Sequence, residues 1–104
     1  MAGPLSIEIV TPLGRVGTRT GIDEIVLRRF ETAFDPGSEV AVFPGHAPML
    51  VRITESDIRL EAYGKTRWAH VGPGFAQVRD DRVLVLAQSG RFDAAPVRRP
   101  CDAR

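Results

Sequence analysis

The sequence predicts an all-β domain, folded as a flattened sandwich or barrel of short antiparallel strands. One reason is that apolar and polar residues alternate over short runs, which is the period of a strand with one buried face. The other is that 10 glycines and 8 prolines interrupt the 104 residues so often that helical spacing is never sustained. Roughly eight or more short strands with frequent turns are typical of this class.

The first predicted strand runs from Leu5 to Val10. It places three apolar residues on one face and Ser6 and Glu8 on the other, and Thr11-Pro12-Leu13-Gly14 ends it. Three further strands are predicted from short runs rich in β-branched residues and bounded by glycine or proline, at residues 22–27, 40–43 and 49–53.

A hairpin follows these strands. Residues 57–63 alternate in polarity and form its first strand, and Gly64-Lys65 offers a two-residue turn. Residues 66–70 then form the second, antiparallel strand of the hairpin. Trp68 lies on the returning strand and is predicted to belong to the core.

A second hairpin is predicted from residues 75–79 and 82–87, which flank Asp80-Asp81. The later strand, Val-Leu-Val-Leu-Ala after Arg82, is apolar enough to predict burial on both faces. Aspartate favours turns because its side chain bonds the nearby backbone, so we interpret Asp80-Asp81 as a turn and not as a catalytic carboxylate pair.

The domain is predicted to span residues 1–88, and residues 89–104 are predicted to form an irregular tail because they contain Gly90, Pro96 and Pro100. The longest stretch without clear periodicity is residues 28–38, which predicts a long loop.

Composition and cysteine content exclude several classes. A net charge of +1 and a pI near 8.0 argue against a nucleic-acid-binding module. Cys101 is the single cysteine, so an intrachain disulfide is impossible and a cysteine-based zinc cluster is not expected. The chain has neither a secretory signal pattern nor an apolar run long enough to span a membrane.

No catalytic, cofactor or metal site is predicted. His46 and His70 are 24 residues apart in sequence, and we interpret each as a hydrogen-bonded structural histidine, with a metal or acid–base pair as the alternative. Neither Gly72-Pro73-Gly74 nor Pro44-Gly45-His46-Ala47-Pro48 opens a helix, so both are interpreted as tight turns and not as phosphate-binding loops.

The segment Pro44-Gly45-His46-Ala47-Pro48 brackets a glycine and a histidine between prolines, after one short strand and before another. Over about residues 4–88 the chain resembles the N-terminal domain of the epsilon subunit of F-type ATP synthase. The resemblance rests on this segment together with residues 7–12, 22–27, 74–78 and 82–87, which occur in the family's order.

The resemblance implies a ten-stranded sandwich and a non-catalytic rotor subunit without a cofactor. Such a subunit lies at the foot of the central stalk, on the cytoplasmic face of a bacterial inner membrane, and links the gamma subunit to the c-ring without entering the membrane. Family positions imply gamma contacts at Thr11, His46 and Val51. They imply c-ring contacts at Arg28, Arg29, Glu31 and Glu39.

Three departures from the family pattern stand out. The loop before the proline-bracketed segment is longer and keeps only Gly37-Ser38-Glu39 of the usual glycine- and glutamate-rich sequence. Pro73 interrupts the usual Gly-Gly-Phe. The residues after Ala87 do not have the pattern of the family's C-terminal helical hairpin, so we expect no ATP site and no inhibition by an extended C-terminus.

An alternative function is a small β-sandwich binding or accessory module unrelated to rotary ATPases, in which residues 44–48 form only a stiff turn. No feature of the sequence selects between H⁺ and Na⁺, because ion selectivity in the rotary family resides in the ring.

Overall fold

The computed structural model describes residues 3–30 and 39–93, and these residues form ten β-strands and no helix. The predicted all-β class is confirmed. No helix in the described residues has the length and apolar character needed to cross a membrane. The strands are β1 Leu5–Thr11, β2 Gly14–Ile22, β3 Glu24–Arg28, β4 Glu39–Val42, β5 Met49–Ile53, β6 Ser56–Ala62, β7 Lys65–Val71, β8 Gly74–Arg79, β9 Arg82–Ala87 and β10 Gly90–Phe92.

The strands form two five-stranded sheets. Sheet I has the order β2-β1-β9-β8-β5, and sheet II has the order β10-β7-β6-β3-β4. All neighbouring strands are antiparallel except β1 and β9, which run parallel with Ile7 opposite Val83. The prediction of a wholly antiparallel fold was wrong at this pair, because alternation of polarity along a strand is the same for either direction of its neighbour.

The core lies between the sheets and is filled by alternate residues of nearly every strand. Along β1, Leu5, Ile7 and Ile9 are at most 1% exposed, while the residues between them are half-buried on the outer side. Ser56 is a buried polar residue in β6, and its hydroxyl donates a hydrogen bond to the Thr54 carbonyl at 3.0 Å. Removal of apolar surface from water is therefore the main stabilising contribution of the inner faces.

Strand β9 is buried on one face only, so the prediction of burial on both faces was wrong. Val83, Val85 and Ala87 point into the core, whereas the Leu86 side chain is 50% exposed on the outer face of sheet I. An all-apolar strand usually has covered faces on both sides. Here, within the described residues, sheet II packs against the inner face of β9, and no element packs against its outer face.

Strand β2 was not predicted. Its nine residues, Gly-Arg-Val-Gly-Thr-Arg-Thr-Gly-Ile, are largely polar and exposed because β2 is the edge strand of sheet I. The predicted strand at residues 22–27 therefore merged Ile22 at the end of β2 with β3. Asp23 separates the two strands, and its amide donates to the Glu61 carbonyl at 2.8 Å.

The predicted turn at Asp80-Asp81 is confirmed, and both residues have positive φ values, 51° and 60°. Left-handed geometry at both central residues fits the right-handed twist of a two-residue hairpin. In the first hairpin the turn residues are Tyr63 and Gly64, and β7 begins at Lys65. The predicted Gly64-Lys65 turn was therefore displaced by one residue.

Strand β10 lies within the segment predicted to be an irregular tail. Gly90 to Phe92 pair with Val71 to Ala69 of β7 and extend sheet II by one strand. The guanidinium of Arg19 in β2 lies 4.3 Å from the centre of the Phe92 ring and 3.2 Å from the Asp93 carboxylate. This contact ties the edges of the two sheets together. The remaining tail, 94–104, lies outside the described residues.

On the other side of the sandwich, β5 at the edge of sheet I approaches the end of β3, which is next to the edge strand β4 of sheet II. Arg29 forms an isolated bridge with Ile53, and the Phe30 amide donates to the Arg52 carbonyl at 2.9 Å. The Arg52 guanidinium covers the Phe30 ring at 3.9 Å. The sandwich is therefore partly closed in the manner of a flattened barrel.

The two faces of the sheets predict different effects of one substitution. Leu27 in β3 is fully buried and Leu86 in β9 is half exposed. Leu27→Ala should lower the free energy of unfolding by about 2–5 kcal/mol, because it leaves a cavity, whereas Leu86→Ala should cost less than about 1 kcal/mol. Urea unfolding of both variants measures this difference. Equal losses would contradict the assignment of inner and outer faces.

Candidate interaction surface

The histidines do not form a shared site. His70 lies on the outer face of sheet II, where its Nδ1 is 2.9 Å from the Asp57 carboxylate. His46 lies in the β4–β5 loop, where its Nδ1 is 2.7 Å from the Ala47 carbonyl oxygen. Each histidine has a local hydrogen-bond partner, as the structural interpretation predicted. In residues 3–30 and 39–93 no group of three or more histidine, cysteine or acidic side chains is arranged to hold a metal ion.

The outer face of sheet II carries a network of matched charges. The Arg59 guanidinium lies 3.9 Å from the Glu24 carboxylate and 3.7 Å from that of Glu61, which also accepts a 2.6 Å hydrogen bond from Thr66. Trp68 is half-buried on this face, opposite Arg59, so its prediction as a core residue was wrong. A face on which most charges have partners within the domain is suited to contact with water.

The outer face of sheet I is apolar at its centre. Leu50 is 72% exposed, Phe75 49% and Leu86 50%, and the half-buried Leu84 and Val10 join them. We call these five residues the apolar patch. The strand register places Phe75 opposite Leu86, which is opposite Val10, and Leu84 is next to Leu86 on the same face of β9. Leu50 is opposite Gln77 and lies diagonally across from Phe75. A contiguous exposed apolar patch on a small domain indicates an interaction site.

Arginines border the apolar patch. Arg52 lies beside Phe75 in the register, and Arg79 and Arg82 follow along β8 and β9. On β2, the Arg15 guanidinium lies 2.6 Å from the Glu8 carboxylate. An apolar centre with a polar rim is the usual arrangement of a protein–protein interface.

The β4–β5 loop has a defined conformation at one end of sheet I. The His46 amide donates to the Phe43 carbonyl at 3.1 Å across Pro44 and Gly45, and Gly45 has a φ of 81°. Proline followed by a left-handed glycine is the signature of a type II turn, as the tight-turn interpretation predicted.

Asp81 connects this loop to the β8–β9 hairpin. Its carboxylate accepts a hydrogen bond from the Gly45 amide at 2.8 Å, and its carbonyl accepts one from the Ser6 amide at 3.0 Å. The side chain of a turn residue therefore fixes the position of the loop that carries His46. Neither the Asp80-Asp81 pair nor the proline-bracketed segment indicated this contact in the sequence, because Gly45 and Asp81 are 36 positions apart.

The predicted gamma-contact residues do not lie together. Thr11 ends β1 at the far end of sheet I from His46. Register places Met49 level with Ile7, so Thr11 is displaced along the strands by about 13 Å or more at ~3.3 Å per residue. Val51 is half-buried and packs against the core from the inner face. Only a partner that spans the length of sheet I would contact both Thr11 and His46.

The predicted ring-contact residues lie at the Thr11 end of the domain. Arg28 and Glu39 are directly opposite each other where β3 and β4 leave sheet II, and Arg29 follows in the bridge to Ile53. Glu31 lies outside the described residues. Leu13, at the tip of the β1–β2 turn, is fully exposed.

Residues 4–92 match the family model of the ATP synthase delta/epsilon chain β-sandwich domain. The chain belongs to this family. Membership agrees with the ten-stranded sandwich and with the order of the motifs, and the match includes strand β10 within its bounds.

Curated relatives of the family carry the same domain. The ATP synthase epsilon chain of Nitratidesulfovibrio vulgaris is 36% identical over 92 residues, which are 86% of this chain and 61% of the relative. The epsilon chain of Granulibacter bethesdensis is 38% identical over 87 residues, 83% of this chain and 59% of the relative. The chain therefore spans about three fifths of the length of these relatives.

Solved structures share the fold. A chain of the Euglena gracilis mitochondrial ATP synthase, in an assembly of OSCP, F1 and c-ring, matches with a TM-score of 0.69 at 18% identity, over 88% of this chain and 54% of that chain. A chain of the central stalk and c-ring of the Tetrahymena thermophila mitochondrial ATP synthase matches with a TM-score of 0.63 at 9% identity, over 86% and 66%.

The apolar patch was missed in the sequence. Its signal was present in β9, where apolar residues occupy both alternating positions. Burial by a covering layer of the same chain and burial by a separate partner produce the same sequence pattern, so the strand was assigned to the interior.

The Asp81 contact generates a prediction with a control in the same turn. Asp80 and Asp81 both have positive φ, so glycine fits either position, but only the Asp81 carboxylate bonds Gly45. Asp81→Gly should lower the free energy of unfolding by about 1 kcal/mol and increase hydrogen exchange at the Gly45 amide, whereas Asp80→Gly should leave that amide protected. Amide exchange by NMR measures both. Equal protection in the two variants would show that Asp81 does not fix the loop.

Proposed function

We propose that this chain serves as the central-stalk rotor subunit of a rotary F-type ATP synthase, where it links the gamma subunit to the membrane c-ring. It would support the coupling of ion translocation to ATP synthesis and hydrolysis without performing chemistry itself. Family membership and relatives named as ATP synthase epsilon chains support this proposal. In a bacterium such a subunit would lie on the cytoplasmic face of the inner membrane, held there by the complex and not inserted.

The observation that carries the proposal is the apolar patch on sheet I. Leu50, Phe75 and Leu86 each expose about half or more of their surface on one face, while sheet II presents the paired charges of Arg59, Glu24 and Glu61 to solvent. Full burial of such side chains is worth roughly 1.5–3 kcal/mol each, so covering the exposed halves would supply a substantial part of a binding energy. We assign this face to the gamma subunit.

The ends of the domain suit a second partner. Thr11 and Arg28 lie with Glu39 at one end of the sandwich, and His46 lies at the other. We assign the end that carries Arg28, Arg29 and Glu39 to the c-ring. The predicted contribution of Glu31 and of residues 28–38 is part of the same proposal. His46 and Thr11 would then border the gamma contact at its two ends.

Strand pairing suits the transmission of torque between these partners. The face assigned to gamma and the end assigned to the ring belong to one sandwich with a continuous core, and contacts link the two sheets on both sides of the sandwich. A close-packed interior deforms little under load. Ion choice, H⁺ or Na⁺, would remain a property of the ring.

The alternative is a small β-sandwich binding or accessory module that uses the same patch for an unrelated partner. Co-purification separates the two functions. Gamma and c subunits should be recovered with the tagged chain from membranes of the source organism under the first proposal and should be absent under the second.

The gamma assignment predicts the effect of a charge placed in the patch. Leu86→Asp should weaken binding to the purified gamma subunit by about 30-fold or more, because it buries an unpaired carboxylate at the centre of the interface. Tyr63→Asp is the matched control, since Tyr63 is an exposed aromatic residue in the β6–β7 turn with a positive φ that aspartate tolerates. Calorimetric titration measures both affinities. Comparable binding by Leu86→Asp and the parent chain would exclude the patch as the gamma contact.

The ring assignment predicts a smaller effect. Glu39→Ala should weaken coupling modestly and Glu39→Arg more, because exposed charge pairs contribute only about 0–1 kcal/mol each. ATP-driven proton pumping in membranes carrying each variant is the measurement, with Glu61→Arg on sheet II as the control. Unchanged pumping with Glu39→Arg would remove Glu39 from the ring interface.

A further inference from the structure

The apolar patch gives way to an arginine pair at the hairpin end of sheet I. Arg79 of β8 and Arg82 of β9 are directly opposite each other in the antiparallel register, one step before the Asp80-Asp81 turn. Both arginines are exposed on the same outer face as Leu84 and Leu86. Like charges directly opposite each other destabilise a pair of strands.

The described part of the domain compensates this pair poorly. The Asp80 carboxylate lies 3.6 Å from the Arg79 guanidinium, but the two side chains are 85% and 72% exposed, so solvent screens their attraction. Glu8, the other carboxylate on this face, is held by Arg15 at 2.6 Å. Among the described residues, Arg82 has no carboxylate partner.

The arginine pair lines an open groove with neutral hydrogen-bonding groups. Ser6 is next to Arg82 in the β1–β9 register, and Thr18, Thr20 and Gln77 add further neutral groups. Glu8 and Asp80 also line the groove, and each lies beside an arginine of its own, Arg15 and Arg79. Hydroxyl and amide groups beside two guanidinium groups can donate several hydrogen bonds to an oxyanion. Arginine in particular matches the planar, two-oxygen geometry of a carboxylate.

The two outer faces also differ in the charges that they leave for a partner. On sheet II the arginine Arg59 is neutralised by Glu24 and Glu61. On sheet I the arginines Arg79 and Arg82 lack equivalent compensation among the described residues. The net charge of +1 for the whole chain does not show this difference in charge between the two outer faces. An acidic partner would therefore be steered towards sheet I.

We propose that the partner covering the apolar patch lays aspartate or glutamate side chains across Arg79 and Arg82. The inference rests on the proposed function and adds the chemistry of the partner surface. A protein carboxylate fits better than a free anion because the arginines adjoin the apolar patch along β9, as the polar rim of an interface adjoins its core. The carboxylates that neutralise Arg79 and Arg82 would thus come from the partner in the complex and not from the free domain.

The experiment compares two charge reversals on opposite sheets. Arg82→Glu and Arg91→Glu change the net charge equally, and Arg91 is an exposed residue of β10 on sheet II. Association with the purified gamma subunit is followed by biolayer interferometry at low and moderate NaCl, and Leu86→Asp is measured in parallel. Urea unfolding of each free variant is recorded alongside.

The expected result has opposite signs in the two measurements. Arg82→Glu should slow association about tenfold and flatten its salt dependence, because rim charges act mainly on the association rate. It should also raise the urea midpoint of the free domain, since the introduced carboxylate would face Arg79 across the strands. Arg91→Glu should change the association rate by less than about twofold. Weakened binding with a raised midpoint cannot come from unfolding.

Three outcomes would overturn the inference. Equal slowing by Arg82→Glu and Arg91→Glu would reduce the effect to overall charge. Normal association of Arg82→Glu, together with lost binding of Leu86→Asp, would reject the carboxylate contact and leave the gamma assignment in place. Unaffected binding by all three variants would reject the carboxylate contact and the gamma assignment. Saturable binding of inorganic phosphate to the free chain that Arg82→Glu abolishes, and that displaces gamma beyond a chloride control, would instead indicate a small-anion site.

Discussion

Burial of one face of each sheet against the other is the constraint on which the rest of this domain depends. Each strand alternates its side chains, so residues that enter the shared core fix which residues must face outward. In β9, burial of Val83 and Val85 leaves Leu84 and Leu86 on the outer side. The apolar patch is thus a direct geometric consequence of the core register, and two of its five residues lie on β9, the central strand of sheet I.

The two outer faces resolve this constraint differently. On sheet II, charged residues such as Arg59 and Glu61 pair with one another and with neighbours. On sheet I, apolar side chains and arginines stand without such compensation within the described residues, apart from the Arg15–Glu8 and Arg79–Asp80 pairs. A sandwich whose core already supplies its stability can leave one face unsatisfied. That face is then available for a partner, which accords with a family found in rotary ATP synthases.

Contacts at the turns and edge strands hold the loops in place on the sandwich. The Asp81 carboxylate holds the loop of Pro44 and His46, and Arg19 joins β2 to the end of β10. On the other side of the sandwich, the bridge between Arg29 and Ile53 holds the chain just after β3, where Arg28 is opposite Glu39. Each contact connects residues of different strands, so the predicted contact residues inherit their positions from the core and not from their own short segments.

The sequence by itself determined the fold class and most strand positions, because polarity alternation and turn residues are local properties. The family followed from the resemblance of its motifs, in their order along the chain, to a known family. The sequence also located the Asp80-Asp81 turn. Only the tertiary structure decided that β1 runs parallel to β9, that Gly90–Phe92 completes sheet II, and that Val51 faces inward. These features depend on which strands become neighbours, which is a global property of packing. The apolar patch belongs with them, because an apolar residue in a strand has the same local signature whether its own chain or another molecule covers it.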